Sequence, residues 1–190
     1  WGNHVPFLDD YIESRSRKFL ITTTEDLDRL RYLLVPPTPE EVDAFKAEAS
    51  FYIEMAKQRG LLLAGGWGVG ADLIGWIYGL QNMIYATFDK PDFLQILLDL
   101  IADWNRSRMK VLLESGIDLY IKRAWYENCN FWSPKTYRKF LAPILKADVK
   151  LAHEYGVKFG YLITSNAMPL LDIFAEAGVD VLIGIDPACW

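Results

Sequence analysis

Cysteine and histidine are nearly absent from this 190-residue chain, with two of each. Cys129 and Cys189 make no disulfide framework, so a reducing, cytoplasmic setting is the expectation. Together with His4 and His153 they show no metal-ligand spacing, which argues against a zinc site. The same scarcity disfavours a Ser–His hydrolase, since His4 lies near the start and His153 in the last turn of an expected helix. An imidazole there favours the helix C-terminus more readily than it performs catalysis. Positive charge is also short: 20 Lys and Arg face 25 Asp and Glu, for a net charge of -5. That balance speaks against nucleic acid or an anionic membrane as the main partner. Nothing in the chain nears the roughly 20 consecutive apolar residues that cross a bilayer.

What the chain has is apolar content with a rhythm. It is 52% hydrophobic, enough to bury a core as one domain over 1–190. Four times a helix ends at a glycine and a short apolar strand follows. The glycines are Gly60, Gly116, Gly156 and Gly178, and the strands begin at Leu61, Ile117, Val157 and Val179. Glycine ends a helix in the left-handed conformation at low steric cost. Strands alternating with helices in this way imply an α/β fold with a parallel sheet covered by helices. Such folds place their chemistry at the carboxyl ends of the strands.

The periodicity predicts a short helix over 26–33. A helix opens after Thr38, with Pro39 in the first position and Glu41 placed for a capping box. A buried strand is expected over 61–65, then a glycine-rich tip over 65–70 and a helix over about 71–80. Asp89 and Pro91 open a long helix to about Ser115, and the next strand covers 119–127. Ser133-Pro134 starts a helix reaching about Tyr155, kinked at Pro143. A strand over 159–164, a helix over 168–177 and a strand over 180–185 complete the pattern.

The strand tips are where function is expected. Gly66, Gly68 and Gly70 are closely spaced but do not fit the dinucleotide fingerprint, and no lysine follows as in a phosphate-binding loop. A tight strand-to-helix turn, or a glycine wall that lets a planar ligand approach, are the readings left. The second tip, Arg123 to Trp132, combines a carboxylate, amides and aromatic rings. Glu127, walled by rings, is a candidate proton donor; its structural alternative is an ion pair with Arg123 two pleats earlier. Tyr126 is a candidate for orienting a substrate oxygen. Thr164, Ser165 and Asn166 form a small polar tip, and Asp186-Pro187 ends the last strand with a carboxylate. Trp67, Trp76, Asn128, Thr164, Ser165, Asn166 and Asp186 are the expected substrate contacts.

Several segments resemble the uroporphyrinogen decarboxylase family. They are Ser133-Pro134-Lys135-Thr136-Tyr137-Arg138-Lys139-Phe140-Leu141-Ala142-Pro143, and the run from His153-Glu154-Tyr155-Gly156 through Met168-Pro169-Leu170-Leu171 to Glu176-Ala177-Gly178-Val179-Asp180 and Asp186-Pro187. Upstream, Trp76-Ile77-Tyr78-Gly79 followed by Asp89-Lys90-Pro91 fits the same order and spacing. The resemblance implies a (β/α)₈ barrel, with the middle units in this chain. A whole barrel takes about 250 residues, so the terminal units are expected to lie outside it.

The family is similar to two activities, uroporphyrinogen decarboxylation and corrinoid-linked methyl transfer, and many of its methyltransferases bind zinc. Two departures matter. Trp76 stands where the decarboxylases carry a tyrosine, and Leu162-Ile163-Thr164-Ser165 stands where thiol-activating methyltransferases carry His-x-Cys-Gly. Leucine and threonine cannot replace an imidazole and a thiolate on zinc. A porphyrinogen with eight carboxylates calls for cations at the tips, and Arg123 is the one evident there. The resemblance therefore favours methyl transfer from a small methylated donor to a corrinoid (cobalamin) that is a co-substrate on a partner protein, not a tightly bound cofactor. Decarboxylation of a tetrapyrrole and a non-catalytic ligand-binding barrel are the alternatives. A homodimer is one assembly open to the chain.

Overall fold

The computed structural model describes residues 19–186. Among them, four strands form one parallel sheet in the order β1-β2-β3-β4: β1 (Ala64–Gly68), β2 (Leu119–Arg123), β3 (Lys158–Leu162) and β4 (Val181–Ile183). Each strand lies beside its neighbour in sequence, with helices crossing between. Helices α1 (Thr24–Leu30) and α2 (Pro39–Arg59) precede β1. Helices α3 (Ala71–Ile74), α4 (Leu80–Asp89) and α5 (Pro91–Ser115) join β1 to β2; α6 (Pro134–Phe140) and α7 (Ala142–Glu154) join β2 to β3; and α8 (Leu171–Ala177) precedes β4. This is a four-stranded part of a (β/α)₈ barrel. No helix among the described residues is long and apolar enough to cross a membrane.

The helix ends follow the sequence closely. Gly60, Gly116 and Gly178 cap α2, α5 and α8 at φ of 62°, 92° and 86°, and Gly156 after α7 stands at 73°. Thr38 and Glu41 form the expected capping box. Pro143 does more than kink its helix, because α6 stops at Phe140 and α7 begins at Ala142. A proline cannot supply the hydrogen-bonding N–H that would carry a helix through this point.

The strands are shorter than the apolar runs suggest. Leu61 and Leu62 read as strand but stand 57% and 67% exposed, and pairing begins at Ala64 opposite Leu119. The glycine-rich stretch is thus mostly strand. β2 ends at Arg123, not at Glu127, and β3 ends at Leu162. The expected helix over 71–80 is interrupted by a π turn over Gly75–Gly79. Its wider register frees carbonyls that then find other donors: Ile77 O accepts from Ile21 N–H at 2.9 Å and Tyr78 O from Asn82 Nδ2 at 2.7 Å.

The two faces of the sheet differ. Tyr120, Lys122, Phe159 and Tyr161 are buried under the helices, with Tyr161 packed edge-on against Phe174 of α8 at 5.2 Å. On the other face Gly160 lies against Leu119, Ile121 and Ile183; a Cβ there would come 2.9 Å from Ile183 Cδ1. Ile121, Leu162 and Ile183 on this face are half-buried.

At the amino end of the strands, Asp180 accepts hydrogen bonds from His153 Nε2 (2.7 Å), Lys158 Nζ (2.9 Å) and Phe159 N–H (2.8 Å). Burial pushes its carboxyl up, but these donors outweigh burial and hold it down from 3.8 to about 2. A lowered folded pKa stabilises the fold above the ordinary carboxylate range, and the gain is lost as pH falls through the folded value. Asp180→Asn is therefore expected to lower the melting temperature at pH 7 and to flatten its decline between pH 4 and 2. An acid limb as steep as the wild type's would show that Asp180 is not its source.

Candidate functional site

The carboxyl ends of the strands meet at one rim. β1 reaches it through a bulge: Gly66 pairs with Ile121 and Gly68 with Lys122, leaving Trp67 as the extra residue. Bulges re-aim a side chain, and Trp67 takes a left-handed backbone at φ 82° that tryptophan rarely adopts. The residue stands 50% exposed. Gly66 is required beside it, since its φ is 131° and a Cβ would crowd the Ile121 backbone nitrogen at 2.8 Å.

Opposite Trp67, the tip after β2 brings up Trp125, 38% exposed. The two rings are perpendicular, with centroids 6.2 Å apart. Between and behind them sits Arg123, the last residue of β2. Its guanidinium carbon lies 4.8 Å from the Trp125 ring, 5.0 Å from Trp76 and 5.8 Å from Trp67. Arg123 forms an ion pair with Asp72, which is fully buried and also accepts from Gly70 N–H at 2.8 Å. The Nε of Arg123 is buried without an acceptor. Trp76 comes from the π turn. The expected pairing of Arg123 with Glu127 is replaced by Asp72, because β2 ends at Arg123 and the strand alternation that would put Glu127 two pleats further on the same face does not continue.

Glu127 is folded back under the tip instead of facing the rim. It is 2% exposed. One oxygen accepts from Ala71 N–H at 2.9 Å and the other from the Tyr161 hydroxyl, which in turn lies 2.8 Å from that of Tyr137. It lines a small internal cavity with Leu98, Ile101, Leu141, Ile144 and the buried cation Lys122. Burial first, and then the nearby Glu127 charge, push both phenols well above their ordinary pKa. The carboxylate thus ties the tip after β2 to the start of α3 and to β3.

The remaining expected residues divide. Asn128, 2% exposed, is a tip-builder: it donates to Trp125 O at 3.0 Å and its carbonyl accepts from Asn130 N–H at 2.9 Å. Its amide and that of Asn130 both lie 3.4 Å from Ser165 Oγ, and Asn166 Nδ2 donates to Asn130 Oδ1 at 2.9 Å. These bonds lock the tips after β2 and β3 together. Thr164, Ser165, Asn166 and Asp186 line one small cleft, and Asp186 N–H donates to Thr164 O at 3.0 Å. Tyr126 is half-buried and meets Phe131 edge-on at 5.2 Å. Pro187, His4 and Cys189 lie outside the described residues.

Asp72 is the site residue that sequence reasoning missed. Its signal was faint: a carboxylate two residues past Gly70, on an apolar segment that had no evident partner for it. Among the described residues, no three His, Cys, Asp or Glu side chains gather as a metal-binding group. Of the four positions over 162–165, none carries a zinc ligand of the His or Cys type.

The family model described as "Uroporphyrinogen decarboxylase (URO-D)" matches residues 9–189. No curated protein matches the chain. Among solved structures, the fold is similar to that of a methyltransferase from Methanosarcina mazei, with a TM-score of 0.59 and 19% identity, over 70% of this chain. The chain spans 40% of the length of that structure.

Proposed function

The chain belongs to the uroporphyrinogen decarboxylase family, and we propose that within it this protein is a methyltransferase, moving a methyl group between a small methylated donor and a corrinoid on a partner protein. The observation that carries this reading is the Arg123–Asp72 pair. The cation that a polycarboxylate substrate would need at the tips is already neutralised and roofed by tryptophans. Around it, the described part of the rim offers rings, amides and hydroxyls. A porphyrinogen with eight carboxylates finds little there to bind, whereas an uncharged donor loses nothing.

In such a transfer the donor's C–O or C–N bond breaks and the methyl carbon moves to the acceptor. The bonding pair stays on the leaving atom, which takes a proton. The corrinoid would supply the cobalt nucleophile, so this chain's work is orientation and exclusion of water. The rim tryptophans wall the donor, Tyr126 donates a hydrogen bond to the leaving oxygen, and Thr164, Ser165, Asn166 and Asp186 shape the opposite side. Asn128 and Glu127 hold the tip in place, with Glu127 acting as a positioning residue through Ala71 and Tyr161.

The test supplies the full-length protein with reduced cob(I)alamin and a panel of methoxylated and methylamine donors, and separately with uroporphyrinogen. Methyl transfer that falls about tenfold or more in Tyr126→Phe, at unchanged melting temperature, is the expected result. Formation of coproporphyrinogen would establish the decarboxylase instead, and tight ligand binding without turnover of any donor would establish a binding protein.

A further inference from the structure

We propose that the cavity enclosed by α2, α5 and β1 is a second binding site, for an aromatic carboxylate, on the helical side of β1 and not at the strand-end rim. The cavity has a volume of about 490 Å³, within the range of small-molecule sites. Glycine keeps it open: a Cβ at Gly68 would come 2.5 Å from the Tyr120 hydroxyl. Rings form its walls. They are Phe45 of α2, Trp104 of α5, Tyr120 of β2 and Trp67, which borders both this cavity and the rim; Met109 and Leu112 of α5 pack beside them.

Two polar groups decide the charge of the ligand. Tyr120 is 3% exposed, yet among the described residues its hydroxyl has no hydrogen-bond partner. Buried polar groups are nearly always satisfied. Asn105, also in the lining, is already spent, since its amide pairs with both the N–H and the carbonyl of Val69. Burial, and then the Asp148 charge, push the Tyr120 phenol above its ordinary pKa, so it stays protonated and donates. Arg108 is near enough for its charge to pull that pKa the other way. It lies over the Trp104 ring at 5.2 Å and makes no ion pair among the described residues. Glu41, the acid of the lining, is engaged with Thr38 N–H at 2.8 Å. A carboxylate answers both open groups, with one oxygen for the phenol and the other for the guanidinium. A cation would meet the unpaired Arg108, and a neutral amide would leave its charge unanswered. The ring walls suit a flat body.

The test is calorimetric titration of the full-length protein, without methyl donor or corrinoid, using 2-naphthylacetate, 2-naphthylacetamide and 2-naphthylmethylamine. The acid is expected to bind about fivefold more tightly than its amide, with the amine weakest. Arg108→Met should erase the preference for acid over amide. Tyr120→Phe should weaken the acid about five- to tenfold with no fall in melting temperature, because the lost hydroxyl bonds nothing within the protein. Val42→Trp, which fills the cavity from α2, should abolish binding. The proposal is overturned if the acid fails to bind at millimolar concentration, or if the amide or amine matches it. Wild-type acid affinity in Arg108→Met, Tyr120→Phe or folded Val42→Trp overturns it too, as does a loss of stability in Tyr120→Phe. Methyl transfer at the rim is measured separately, and its presence or absence leaves this site untouched.

Discussion

Asp148→Ala is expected to destabilise the fold by about 3–5 kcal/mol, the usual cost of stripping a buried charge of its partner. Asp148 on α7 receives Lys122 Nζ at 2.9 Å on one oxygen and Arg106 Nε at 2.7 Å on the other. Arg106 is a quarter exposed and can turn to water, but Lys122 is 5% exposed and cannot. Burial lowers the Lys122 pKa, and the charges of Asp148 and Glu127 more than reverse that, so the ammonium is held above its ordinary value. A raised folded pKa gives stability that is complete below the unfolded lysine range of about 10.4 and fades only as pH climbs through the folded value. The lysine is thus charged at neutral pH, and alanine at 148 leaves that charge buried without its main partner. Urea denaturation of the single variant beside the Lys122→Met/Asp148→Leu pair checks this. The pair should recover part of the loss, since it removes the stranded ammonium but also takes a cation from beside the buried Glu127. A single variant within about 0.5 kcal/mol of wild type would mean that Lys122 finds another partner.

Gly70→Ala should be comparably damaging, by about 3 kcal/mol or more. A Cβ at Gly70 would overlap Glu127 Oε1 outright and lie 2.8 Å from its Cδ. The obstacle is a buried carboxylate with both oxygens committed, to Ala71 N–H and to Tyr161, so it cannot swing aside cheaply. The damage reaches the rim as well. Gly70 N–H donates to Asp72, and Asp72 holds Arg123 in place among the three tryptophans. A double-mutant cycle with Glu127→Ala separates the effects: the extra methyl then occupies vacated space, and the double variant should lose less than the sum of the singles. Strict additivity would show that the clash is not with Glu127.

The alternation of helix and strand was legible because a residue that ends a helix with positive φ is nearly always glycine, and four such glycines stood before apolar runs. The boundaries of β1 were not. Leu61, Leu62 and Leu63 carry the apolarity of a buried strand, while the residues that actually pair are Ala64, Gly65, Gly66 and Gly68, poor strand formers chosen by their register with β2. The ring-rich tip after β2 was visible as composition, but composition does not say which side chain turns outward. Glu127 and Trp125 are two residues apart, yet one is sealed beneath the helices and the other opens to solvent. Asp72 escaped notice because its partner is supplied by a different βα unit, and no local pattern announces an ion pair between units.

The π turn at Gly75–Gly79 has a consequence for how such a rim could change. A π turn is a regular helix carrying one residue too many, and here the surplus carbonyl bonding is taken up by Ile21 and Asn82. Losing a single residue from this turn would restore ordinary winding, at about 100° per residue, and swing Trp76 off Arg123 with every ring still encoded. A one-codon deletion in this turn would therefore respecify the rim without altering any residue on the other strand tips.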